Sequence, residues 1–102
     1  MSEPLPPSRG ARLLLERRAI AADQSSATYR AAVITPDERF DYDAVLRSDG
    51  TAQLTALGTP ASPEWEERLV NHARQAARAA DRRRADHLPP WPPRLLRWRA
   101  PG

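Results

Sequence analysis

A chain of 102 residues has room for one domain with one modest core, and with three Trp, two Tyr and one Phe that core is thin in large side chains. The absence of cysteine excludes disulfide staples, thiol chemistry and zinc–thiolate sites, and it fits a reducing compartment. All sixteen basic residues are arginine: residues 81–102 carry six against two Asp, whereas residues 1–80 carry ten against eleven Asp or Glu, so the net +3 comes from the C-terminal fifth.

No apolar run approaches the roughly 18 residues of a membrane span. Arg17-Arg18 suggests a twin-arginine signal, but no apolar segment follows it. A soluble, cytoplasmic protein is expected.

In chain order, residues 1–10, "MSEPLPPSRG", are rich in Pro and Ser without periodicity and read as a flexible arm. Residues 11–23, "ARLLLERRAIAAD", favour helix by propensity, yet no clean apolar face emerges at either period. They are assigned to a strand because the next three segments form a meander that needs a fourth member. "RFDYDAVL" alternates, with Phe40, Tyr42, Ala44 and Leu46 on one face.

Register follows from face consistency. A two-residue turn at Asp49-Gly50 mixes the faces. A three-residue loop, Ser48-Asp49-Gly50 with left-handed Gly50, instead sets Leu46 opposite Ala52, Ala44 opposite Leu54 and Tyr42 opposite Ala56. Upstream, "TPDE" suits a four-residue loop built on a type I turn. It pairs Val33 with Phe40, Ala31 with Tyr42 and Tyr29 with Ala44. The same register brings Arg30 across from Asp43 on the opposite face.

A long helix follows in "TPASPEWEERLVNHARQAARAADRRRADH", capped by Ser62, with Pro63 first and Glu64, Glu66 and Glu67 at the positive dipole end. Trp65, Leu69, Ala73, Ala76 and Ala80 form the stripe expected to face the sheet. Its alanine half buries little area, which leaves a packing deficit. Pro89-Pro90 ends the helix by His87 or earlier.

The expected architecture is therefore α+β: an antiparallel meander of three to four strands followed by one long helix packed on one face. Residues 1–10 are the arm and 11–86 the domain. Residues 87–102 are a Pro/Trp/Arg-rich C-terminal segment, docked as a strap.

Catalytic signals are weak. His72 and His87 are too far apart for one helical metal site, and His72 reads as a boundary residue beside the buried stripe. Asp41 and Asp43 point the same way from one strand, but Arg30 and Arg39 stand ready to neutralise them. No phosphate-binding glycine loop or nucleophile elbow occurs. The expectation is a non-enzyme with no cofactor, no metal and no small-molecule substrate.

"HLPPWPPRLLRWRAPG" is the stronger candidate. Pro89-Pro90-Trp91-Pro92-Pro93 favours an extended polyproline conformation, and both Pro89/Pro92/Arg94 and Pro4/Pro7/Arg9 fit a P-x-x-P-x-R pattern of low specificity. In "RLLRWR", alternation sets Leu96 and Trp98 on one side and Arg97 and Arg99 on the other. Three uses stay open: an intramolecular strap through Leu88, Trp91, Leu96 and Trp98; a partner-binding arm; and a nucleic-acid or anionic-membrane contact through the arginines. The partner-binding candidates are Trp91, Arg94, Leu96, Arg97, Trp98 and Arg99. A homodimer is also expected, since Ile34, Val45 and Leu57 on the far sheet face invite covering.

"RFDYDAVLRSDGTAQL" leading into "WEERLVNHARQAAR" resembles the emfourin-type inhibitors of bacterial thermolysin-like metalloproteases, small soluble proteins with a sheet packed against helices. The resemblance covers about forty residues. The early paired glycines it implies are missing, Gly10 standing alone, and no site residue is carried over. Function is thus expected to be a small interaction or regulatory module acting through protein–protein contacts. Nucleic-acid binding is the alternative, and protease inhibition a weaker one.

Overall fold

Strands β1 (Ala11–Ile20), β2 (Ser26–Ile34), β3 (Arg39–Arg47), β4 (Ala52–Ala56) and β5 (Arg94–Arg99) form one antiparallel sheet in the order β4-β3-β2-β1-β5. Helix α1 (Pro63–Ala85) lies across one face. This computed structural model describes residues 6–101; of the arm expected over residues 1–10, and of the P-x-x-P pattern beginning at Pro4, residues 1–5 lie outside the described residues. Among the described residues no helix is long and apolar enough to cross a membrane.

The meander has the register that face consistency predicts. Val33 pairs with Phe40, Ala31 with Tyr42, Tyr29 with Ala44, and Arg30 with Asp43. Across the next hairpin Leu46 pairs with Ala52, Ala44 with Leu54 and Tyr42 with Ala56. Gly50 has φ +91°, the left-handed conformation its three-residue loop requires. Residues 11–20 are a strand, interrupted by an irregularity between Arg17 and Ala19.

Ser62 caps α1, its hydroxyl accepting from the Trp65 backbone N–H, and Pro63 occupies the first turn. The buried helical residues are Leu69, His72, Ala73, Ala77 and Ala80. The inward stripe is thus rotated from the expected one: Ala77 takes the place of Ala76, and Trp65 and Ala76 flank the core half-buried. Trp65 stays at this boundary under the Arg68 guanidinium, 4.7 Å from its ring centre, and the arc made by Leu69, Ala73, Ala77 and Ala80 faces the sheet squarely.

The C-terminal segment goes further than a strap. Residues 94–99 are a fifth strand on β1, with Leu14 opposite Leu96 and Leu13 opposite Arg97. The crossover before it supplies Trp91, fully buried and the largest side chain in the core. Trp91 fills the packing deficit of the alanine-lined helix, with Leu95 half-buried against the same core. Leu88, Leu96 and Trp98, expected to share that task, are 48%, 41% and 44% exposed. Their positions explain this: Leu88 follows the helix terminus, and Leu96 and Trp98 point to the sheet face opposite α1.

Candidate surface at the C-terminal edge strand

The turn-and-crossover region that aims β5 is densely hydrogen-bonded. The Gln24 carbonyl, at a residue with φ 62°, accepts from Trp91 Nε1 and from Arg84, each at 2.8 Å. Arg17 donates to the Trp91 carbonyl at 2.7 Å, Tyr29 Oη to the Pro92 carbonyl at 2.7 Å, and Arg83 to the Pro89 carbonyl at 2.8 Å. Carbonyls in a proline-rich stretch lack neighbouring N–H partners, so side-chain donors take them up. The donors come from β1, β2 and α1 as well as from Trp91 itself, so several elements hold the entry to β5 in place.

From there the pairing fixes what β5 shows to solvent. The Arg17 backbone N–H donates to the Pro93 carbonyl at 2.9 Å, so Pro93 faces β1. In an antiparallel ladder the facing residues alternate, so Leu95, Arg97 and Arg99 face β1 as well. Arg94, Leu96 and Trp98 therefore turn their backbone N–H and C=O groups to the open edge. Side-chain direction alternates too: Leu95, Arg97 and Arg99 share the α1 face, and Arg94, Leu96 and Trp98 the outer face.

On the outer face the strands align in rows. Leu96, Leu14 and Ala32 make an apolar row that continues to Asp41. Below it Arg94, Glu16, Arg30 and Asp43 alternate in charge, with Arg30 and Asp43 in contact at 3.3 Å. Above it run Trp98, Arg12, Ile34 and Arg39. Leu14, Ala32 and Ile34 are buried, whereas Leu96 and Trp98 at the edge are not. Trp98 Nε1 donates to the Arg9 carbonyl at 3.0 Å, and Pro7 and Gly10 are buried, so residues 7–10 return along this end of the sheet.

The six partner-binding candidates thus separate. Trp91 is wholly inside and leaves the surface set. Arg94 is half-buried, with its Nε shielded and unpartnered. Arg97 is exposed and donates to Gln75 Oε1 at 2.7 Å. Arg99 is half-buried on the α1 side. Leu96 and Trp98 are the exposed apolar pair. Of the far-face residues expected to invite a second copy, Ile34 is buried, Val45 half-buried and Leu57 exposed.

Between α1 and β5 lies a groove of about 180 Å3 lined by His72, Gln75, Ala76, Ala79, Leu95 and Arg97. His72 is more deeply placed than a boundary residue, and its Nε2 is buried without a partner. Burial, then the neighbouring Arg97 and Arg99 charges, hold its pKa below the usual histidine value, against a hydrogen bond that the imidazole donates to the Leu95 backbone carbonyl. The residue-type pattern signalled a helix-face histidine; that β5 would come to cover it was not visible in the chain.

The acidic residues Asp41 and Asp43 are both paired, with Arg39 at 3.0 Å and Arg30 at 3.3 Å. Among the described residues no three His, Cys, Asp or Glu side chains converge as metal ligands. No protein-family model, curated protein or solved structure matches the chain.

Proposed function

We propose that the protein is a non-enzymatic interaction module whose contact element is the β5 edge, with Leu96 and Trp98 as apolar anchors and Arg94, Arg97 and Arg99 as the charged surround. The observation that carries this reading is the coincidence, on one six-residue strand, of outward backbone groups and two exposed large apolar side chains. An unpaired edge is a template for an added strand, and alternate side chains give such pairing its selectivity. Tryptophan and arginine are also the side chains most often responsible for binding energy at protein interfaces. Binding of nucleic acid through the same arginines draws less support, because they split between the two faces, with Arg94 beside Glu16 on the outer one and Arg97 and Arg99 on the α1 side, rather than forming one uninterrupted basic stripe.

Selection of extended peptides from a random display library tests this reading. Binders are expected to shift the amide resonances of Arg94–Arg99 and to lose affinity for a Leu96→Pro chain. Proline at that position removes only an edge-facing N–H and is tolerated on an edge strand. Binders that map elsewhere on the surface, or no binders, overturn it.

A further inference from the structure

We propose that the occupant of the β5 edge is a second copy of this chain, paired antiparallel about a two-fold axis that passes through Leu96 normal to the sheet. This identifies the partner within the interaction reading above and rests on it. Because Arg94, Leu96 and Trp98 are the edge-facing residues, a symmetric antiparallel pair must place edge-facing residues opposite one another.

Few registers satisfy that condition, and charge separates them. Centring on Trp98 or Arg97 sets Arg97 against Arg99 or against itself, and centring on Arg94 sets Arg94 against itself. Like charges directly opposite destabilise a pair. Centring on Leu95 puts Trp98 against Pro92, which has no N–H to offer. Centring on Leu96 sets no two arginines opposite each other and moves Pro92 outside the paired strand, opposite Ala100. Leu96 meets Leu96 of the second copy, Arg94 meets Trp98, Leu95 meets Arg97, and Pro93 meets Arg99.

The resulting outer face is continuous across the axis. The apolar row Ala32–Leu14–Leu96 runs directly into its own symmetry mate. In the neighbouring row Trp98 comes to lie between the second copy's Arg94 and its own Arg12, where a guanidinium can cover the indole face. About six backbone hydrogen bonds close the edge, and the two five-stranded sheets become one of ten. Of the exposed large apolar side chains among the described residues, Leu96 and Trp98 are the two that this arrangement covers. With one short strand from each copy, the interface belongs to the small, reversible class.

The test uses complementary charges at the axis, with sedimentation velocity and native mass spectrometry as readouts. The wild-type chain is expected to dimerise reversibly below about 1 mM. Leu96→Lys and Leu96→Glu, each of which places two like charges on the axis, are expected to weaken self-association at least about tenfold while keeping the wild-type circular dichroism spectrum. An equimolar mixture of the two variants is expected to form a one-to-one heterodimer tighter than either alone. A monomeric wild-type chain throughout this range overturns the proposal, as do variants that dimerise like wild type or a mixture that fails to pair. In any of those cases peptide binding mapped to Arg94–Arg99 would still stand, so loss of the dimer and loss of the interaction surface are told apart.

Discussion

Trp91 donates its indole N–H to the Gln24 carbonyl at 2.8 Å, joining the C-terminal crossover to the β1–β2 turn across most of the chain's length. Gln24 needs a left-handed backbone to present that carbonyl, and Arg84 from the end of α1 shares it. Three remote segments are thus tied at one oxygen. Trp91→Ala is expected to remove a fully buried side chain and cost about 3–5 kcal/mol. Trp91→Phe, which keeps a ring but leaves the carbonyl with one donor, should cost less. Denaturant unfolding measures both; near-equal stability of wild type and the alanine variant would contradict the burial.

Cutting the chain after His87 removes Trp91 and β5 together. That uncovers the apolar core beneath Trp91 and exposes the β1 edge along Ala11–Glu16. The truncated chain is expected to melt many degrees lower than the full chain, or to lose a cooperative transition altogether. An unchanged melting temperature would show that residues 88–102 are not part of the core.

Tyr42 sits at a similar junction on the same face of the sheet, toward its other edge. Its hydroxyl accepts from the Ala61 N–H at 2.8 Å and donates to Glu66 at 2.7 Å, pinning the loop before α1 to β3. Tyr42→Phe leaves a buried N–H without its acceptor and is expected to destabilise by about 1–3 kcal/mol. Thermal unfolding of the two proteins side by side decides it.

Two buried groups make stability depend on pH. The His72 pKa is lowered in the folded chain, chiefly by burial and then by Arg97 and Arg99. The unfolded state therefore takes up the proton first, and the stability present above the ordinary histidine value is lost as pH falls through and below it. His72→Leu should flatten this acid limb of the melting curve. Tyr29 behaves oppositely: burial pushes its phenol up to about 12, partly offset by Arg17 and Arg83. The stability tied to its protonated form is present below about pH 10 and lost as pH rises toward 12. Ultraviolet titration should show one tyrosine ionising that late, and a normal titration of both would contradict the buried position.

Gly10 turns the chain into β1 with φ +70°, and a Cβ there would collide with the Arg99 carbonyl. Gly10→Ala is expected to lower stability and loosen the end of β5, whereas Gly58→Ala, in open space, should be nearly silent. Melting temperatures of the two variants give the comparison.

The meander was legible because both faces of "RFDYDAVL" constrain one register, and an apolar core on one side agrees with Arg30 opposite Asp43 on the other. The helix was legible through its Ser62-Pro63 start and its closing prolines. The fifth strand was only half legible. Alternation in "RLLRWR" sorts the faces correctly, but nothing in six arginine-rich residues says that the free edge of β1 lies within reach. The same gap hid the burial of His72 and Trp91. Both depend on a long-range crossover held by carbonyls of Gln24, Trp91 and Pro92, and backbone carbonyls carry no signature in residue type.

The proposed interaction surface rests on which way β5 turns its amides, and residue-resolved hydrogen exchange reads that directly. In the dilute chain the Leu95 and Arg97 amides, bonded to β1, are expected to exchange slowly, and those of Leu96 and Trp98 rapidly. On raising the concentration, or on adding an edge-binding peptide, Leu96 and Trp98 should become protected while Leu95 and Arg97 hardly change. Leu96 and Trp98 amides that stay equally fast under every condition, or that are already slow in the dilute monomer, would contradict an interaction surface on this edge.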